Sequence, residues 1–147
     1  MNELTELTMR RRFAAPVAKL YRAWCDPAQL RKWHAPTTMT TPEAEVDFRI
    51  GGKYRIVMKN PAGTSFIVFG EYLEIVENSL LRYTWQWDEG GLRTEIELRF
   101  SAHGKESELQ LTHRQFPDAG SRDEHEKGWT GCLESLANFL AKEGVAA

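Results

Sequence analysis

At 147 residues, with 41% apolar side chains and a net charge of −2, the chain has the size of one domain, 1–147, that removes roughly 70% of its unfolded surface from water. Its 19 basic and 21 acidic residues make no fixed field for nucleic acid or anionic membrane, and no window approaches the ~20 apolar residues of a membrane span. The N-terminus MNELTELTMRRRF lacks a signal peptide's apolar run, so the expected compartment is the cytoplasm; Cys25 and Cys132 form no C-x-x-C and read as reduced, buried thiols.

Leu4 to Phe13 alternates imperfectly and predicts a first strand. Pro16 then opens a helix at its first position, where a missing amide hydrogen costs nothing, with Val17, Leu20, Tyr21 and Trp24 as its inner face. Asp26-Pro27-Ala28-Gln29 repeats the start signal, a cap followed by proline with Gln at the capping-box position, so a second short helix carries Leu30 and Trp33. His34 to Pro42 has no periodicity and reads as a loop.

A run of strands follows. Ala44, Val46, Phe48 and Ile50 alternate with charged residues, and Gly51-Gly52 turns the chain. Tyr54, Ile56 and Met58 form the next inner face, and Asn60-Pro61-Ala62-Gly63 turns it back. Ser65 to Val76 is apolar on both faces and contains Gly70, which predicts a bulge there and leaves the direction of Glu71 open. Leu81, Tyr83, Trp85 and Trp87 alternate against Arg82, Thr84, Gln86 and Asp88; Glu89-Gly90-Gly91 closes the hairpin. Leu92, Thr94, Ile96, Leu98 and Phe100 make the inner face beyond it, and the last strand puts Leu109, Leu111 and His113 together.

One long helix ends the chain. Ser121 with Glu124 makes a capping box, Asp123 adds negative charge to the first turn, and Gly144 supplies the stop. Trp129, Cys132, Leu133, Leu136, Phe139 and Leu140 form an apolar stripe roughly 120° wide. Gly128 and Gly131 each weaken this helix by about 1 kcal/mol relative to Ala, which points either to close packing or to a loose end that admits a ligand.

Strands clustered between helices predict an α+β fold with a curved antiparallel sheet. Only the last helix is long enough to cover the apolar face. About 18 inward strand positions exceed what one helix fills, so the sheet should wrap around it and leave a large aromatic core or a cavity.

Asp26-Pro27 with Leu30 and Trp33, EVDFRIGGKYRIVM from Glu45, GEYLEI from Gly70, YTWQW from Tyr83, LTHRQF from Leu111 and RDEHEKGWTGCL up to Leu133 resemble the START-like, helix-grip (SRPBCC) superfamily, and within it the activator-of-Hsp90-ATPase homologue family. The resemblance covers nearly the whole chain. It implies a helix-grip fold, and a superfamily range from lipid and hormone carriers through polyketide cyclases and resistance proteins to co-chaperone domains. Members commonly carry two Trp and a Gly after the second short helix, where this chain has Trp33-His34-Ala35, close to the pocket entrance that the resemblance implies.

A cavity between sheet and helix would be lined by Trp33, His34, Phe48, Tyr54, Ile56, Met58, Glu71, Tyr83, Trp85, Trp87, Thr94, Ile96, Leu111, His113, His125, Trp129 and Leu133; the same aromatics also suit a plain core. His113 reads as a buried imidazole bonded to a neighbour, as a ligand's polar anchor, or as a proton carrier. His125, one turn before Trp129, reads as a helix-start residue or as a group looking into the cavity. His125-Glu126-Lys127-Gly128-Trp129 lacks the second histidine of a zinc helix, and no metal or cofactor is expected. The expected function is binding of a small hydrophobic or aromatic ligand as a carrier or sensor, without a catalytic constellation. The alternatives are a chaperone co-factor module of the Hsp90 type and a cyclase- or hydrolase-like enzyme working through His113, Glu71 or His125. The expected partners are a small apolar molecule or a chaperone, with the chain a monomer or homodimer.

Overall fold

Alternating charge and hydrophobicity resolves into seven antiparallel strands in the order β1-β7-β6-β5-β4-β3-β2. The computed structural model describes residues 5–36, 38–88 and 90–146, with side chains through Lys142; Leu4 and Glu89 lie outside the described residues. The elements are β1 (Thr5–Phe13), α1 (Val17–Cys25), α2 (Pro27–Trp33), β2 (Thr40–Val46), β3 (Lys53–Lys59), β4 (Ser65–Val76), β5 (Leu80–Trp87), β6 (Thr94–His103), β7 (Glu106–Phe116) and α3 (Ala119–Ala146). No helix among the described residues is long and apolar enough to cross a membrane. The fold is the expected α+β helix grip, a curved open sheet around one long helix.

The helix stripe lands as its spacing requires. Trp129, Cys132, Leu133, Leu136, Phe139 and Leu140 are all buried. They join one hydrophobic cluster with Leu81, Ile96, Leu98, Leu109 and Leu111 of the concave face and with Leu20, Tyr21 and Trp24 of α1. On the convex face Arg82 bridges Glu74 and Glu95, and Arg114 bridges Glu95 and Glu97, tying four strands together across the ladder. Glu71 belongs to this outer face. It is exposed, while Val68 and Tyr72 on the opposite parity are buried, so it does not line a cavity.

Several boundaries differ from the sequence expectation. β2 starts at Thr40, inside the expected loop, and Pro42 is tolerated because β2 is an edge strand with a register shift between Thr40 and Glu43. It also ends at Val46. Phe48 is half-buried beyond it, edge-on to Tyr21 and Tyr72, and Ile50 is 64% exposed. Leu92 precedes β6 and is likewise exposed. In α3 the cap is Asp118, whose carboxylate accepts from the Ser121 amide at 2.7 Å; Ser121 is thus the third helical residue, and Asp123 falls in the second turn. The helix also runs past Gly144 to Ala146.

Gly70 is explained by proximity. The ladder irregularity on the β5 side falls between Tyr72 and Glu74 rather than at Gly70. Tyr54, paired with Gly70 across β3 and β4, lays its ring over the glycine and donates its hydroxyl to the Thr84 carbonyl. A Cβ at position 70 would overlap that carbonyl oxygen and come 2.7 Å from Tyr54 Cε1.

Leu136 is fully buried at the centre of the stripe. Leu136→Ala is expected to destabilise the protein by about 2 to 5 kcal/mol in equilibrium denaturation. A loss below ~1 kcal/mol would mean that α3 does not carry the core.

Candidate functional site

Two histidines and three tryptophans meet where the first turns of α3 cross β5, β6 and β7. Trp129 Nε1 donates to His113 Nδ1 at 3.1 Å. His113 Nε2 lies 2.7 Å from Thr94 Oγ1, and Thr94 Oγ1 donates to the Trp85 carbonyl at 2.9 Å. A hydroxyl has one hydrogen, so His113 must donate from Nε2 and accept at Nδ1. The chain closes only for that neutral tautomer. Burial, with a contribution from nearby His125, pushes the His113 pKa well below its ordinary value. Both ring nitrogens are committed to side chains of the core, which leaves no lone pair for a substrate proton.

His125 is held in the opposite tautomer. Its Nδ1 donates to the Ser121 carbonyl at 2.8 Å, the preceding helical turn, and its Nε2 accepts from Trp87 Nε1 at 2.9 Å. Burial lowers its pKa, against the opposing effects of the Ser121 carbonyl and Glu124. His34 is different again. It is buried among Trp24, Trp33, Trp85 and Trp129, with ring centroids 5.1 to 6.1 Å away, and burial pushes its pKa down to about 4. His34 Nδ1, Trp24 Nε1 and Trp85 Nε1 are buried without a hydrogen-bond partner among the described residues.

Beside this network lies an open-mouthed cavity of about 400 Å³. Its walls are Trp85 and Trp87 of β5, Met58 of β3, Phe66 of β4, Pro36 and Met39 of the connection before β2, and Glu124, His125, Gly128, Trp129 and Cys132 of α3. The structure thus brings five of the expected residues, Met58, Trp85, Trp87, His125 and Trp129, into one wall. Trp33 faces a separate cleft of about 460 Å³ beside Arg31, Lys32 and Lys142. Thr94 faces a recess of about 180 Å³. His34, Tyr54, Ile56, Tyr83, Ile96, Leu111, His113 and Leu133 are packed in the interior and do not reach the cavity wall, nor do Phe48 and Glu71.

Sequence reasoning missed Pro36, Met39, Phe66, Glu124 and Cys132 as wall residues. Phe66 lies on the strand with ambiguous parity, and Pro36 and Met39 lie in aperiodic sequence. The two helical glycines separate cleanly. A Cβ on Gly131 would sit 3.0 Å from Pro36 Cβ, so that glycine serves close packing, whereas a Cβ on Gly128 meets open space. Gly128 is therefore what opens α3 to the cavity. Among the described residues no group of three His, Cys, Asp or Glu side chains could hold a metal ion, and burial pushes the Cys25 and Cys132 thiols up to about 12.

The three imidazoles make stability acid-sensitive. In the unfolded chain they take up protons near pH 6.5, whereas in the fold His34 is held to about 4 and His113 and His125 are also lowered. The unfolded state therefore binds more protons below pH 6.5, and each such group contributes a slope of about 1.4 kcal/mol per pH unit. Denaturation midpoints should be level above about pH 7 and fall steadily from pH 6.5 toward pH 4. Midpoints that stay level down to pH 4.5 would contradict the neutral interior.

The architecture is shared with solved bacterial proteins. The AHSA1 protein of Silicibacter pomeroyi is similar with a TM-score of 0.86 at 29% identity, over 95% of this chain and 99% of that one. A protein of Chromobacterium violaceum is similar with a TM-score of 0.82 at 28% identity, over 92% and 96%. CalU16 of Micromonospora echinospora gives 0.73 at 25% identity, over 97% and 80%. No curated protein matches the sequence. The family model described as activator of Hsp90 ATPase homolog 1-like protein matches residues 14–141, from the end of β1 into the last turns of α3, and the chain belongs to that family.

Proposed function

We propose that the protein binds a small hydrophobic or aromatic molecule in the cavity beneath the first turns of α3, as a carrier or sensor rather than as a catalyst. The observation that carries this reading is the cavity itself, about 400 Å³ and walled by three indoles, two methionines and a phenylalanine. That volume lies within the few hundred to one thousand Å³ usual for small-molecule sites, and such sites are mostly apolar with a few placed polar groups. The most deeply buried of the imidazoles near the cavity supports binding over chemistry, because both ring nitrogens of His113 are engaged by side chains of the core. A general base needs a free lone pair within reach of the proton it removes.

The wording of the family description carries a second reading, a module acting on a chaperone ATPase. Stimulation of a purified Hsp90-type ATPase by the protein would support it. Saturable uptake of an apolar probe supports the first.

Gly128 provides a blocking variant that is expected to leave the fold intact. A Cβ at position 128 meets open space, and replacing a helical glycine gains up to about 1 kcal/mol. N-phenyl-1-naphthylamine fluorescence is expected to show saturable one-site binding to the parent protein and none to Gly128→Leu, with an unchanged or higher Tm. Equal binding by parent and variant would place the probe elsewhere and overturn this cavity as the site.

A further inference from the structure

The hydrogen bond from Trp87 Nε1 to His125 Nε2, 2.9 Å long, stands in the wall of two spaces at once. The cavity of about 400 Å³ and the recess of about 180 Å³ are both lined by Trp85, Trp87 and His125. The bond is the polar seam between them. Its donor belongs to β5 and its acceptor to α3, so the seam also joins the sheet to the helix across the cavity rim. Unlike the Trp129 to His113 bond, which is wholly buried, both partners here are part-exposed and line the cavity.

The chemistry at the seam is fixed on both sides. Trp87 Nε1 only donates. His125 holds its proton on Nδ1 against the Ser121 carbonyl, so Nε2 only accepts. A hydrocarbon wedged between them would strand a donor and an acceptor. A carbonyl would satisfy Trp87 but set its lone pairs against those of His125, and an ammonium would satisfy His125 but set its hydrogens against the indole N–H. A hydroxyl satisfies both, donating to Nε2 while accepting from Nε1. Glu124 on the same cavity wall disfavours an anionic group.

Building on the binding function proposed above, we propose that the ligand is an uncharged aromatic or polycyclic alcohol or phenol whose hydroxyl replaces the direct Trp87 to His125 bond, with its apolar body in the larger cavity. The two-sided geometry makes His125 the residue that discriminates a hydroxyl from an ether. A methyl ether of the same ring keeps the acceptor but lacks the hydrogen that Nε2 requires.

The test compares 2-naphthol with 2-methoxynaphthalene, titrated by calorimetry against the parent protein, His125→Phe and Trp87→Phe. The parent is expected to favour 2-naphthol by about tenfold, the worth of one additional net hydrogen bond. His125→Phe keeps an apolar wall and should bind both probes alike. Trp87→Phe leaves Nε2 without its indole donor and should keep or widen the preference. In the proton–nitrogen spectrum of the parent, the indole N–H resonance missing from Trp87→Phe should move further with 2-naphthol than with the ether. Equal affinities in the parent, or a preference that survives in His125→Phe, would overturn the assignment while leaving the cavity in place. Failure of both probes to bind any of the three proteins would overturn the binding function itself.

Discussion

The hydrogen bond from Trp129 to His113 sets how the long helix sits in the sheet. Apolar burial is not directional, and a stripe of Trp129, Cys132, Leu133, Leu136, Phe139 and Leu140 could be accommodated by a concave sheet over a range of helix rotations. An indole N–H that must meet one lone pair of a wholly buried imidazole allows far less. The imidazole in turn is fixed by Thr94, and Thr94 by the backbone of Trp85. Helix α3 is thus registered against β7, β6 and β5 through one chain of bonds, and that registry leaves Gly128, one residue before Trp129, beside the cavity. Separating any member strands a buried polar group at a cost of about 1 to 3 kcal/mol.

The same bonds account for what the interior is suited to do. Catalytic imidazoles work by changing protonation, and here such a change at His113 would turn an acceptor into a second donor facing the Trp129 N–H. The cost of protonation appears as acid instability rather than as reactivity. His34, with Trp24 and Trp85, departs from this pattern of full pairing. The rings around them meet edge to face: Trp24 meets Trp33 at 4.6 Å and 71°, and His34 meets Trp24 and Trp129 at 86° and 78°. Edge-to-face contacts set the positive rim of one ring against the negative face of another, which a buried N–H favours over plain hydrocarbon.

Much of this architecture is legible in the chain because its strongest signals are periodic. Tyr83 and Trp85 on β5, Ile96, Leu98 and Phe100 on β6, and the α3 stripe from Trp129 to Leu140 all face the core as their spacing demands. What alternation hides is where a strand stops: Ile50 and Leu92 fit the pattern yet lie beyond the last paired residue. Glu71 has no legible direction in the sequence because β4 is apolar on both faces, and its direction follows from cross-strand pairing that a single sequence does not display. The helix start at Asp118 is masked in the sequence by the capping-box pattern that begins three residues later at Ser121. The cavity was the least legible feature, since its position depends on a missing side chain at Gly128 and on Met39 and Phe66, which reach it from separate parts of the chain.

The central claim is that α3 is docked by a neutral His113 that accepts from Trp129. Nitrogen-15 spectra of the histidine rings report tautomer and charge directly. The account predicts His113 protonated at Nε2 and bare at Nδ1, His125 protonated at Nδ1 and bare at Nε2, and no proton taken up by His113 as the pH is lowered from 8 to about 6, because burial holds that ring well below the ordinary value near 6.5. A His113 ring that titrates near pH 6.5, or one that carries its proton on Nδ1, would contradict it.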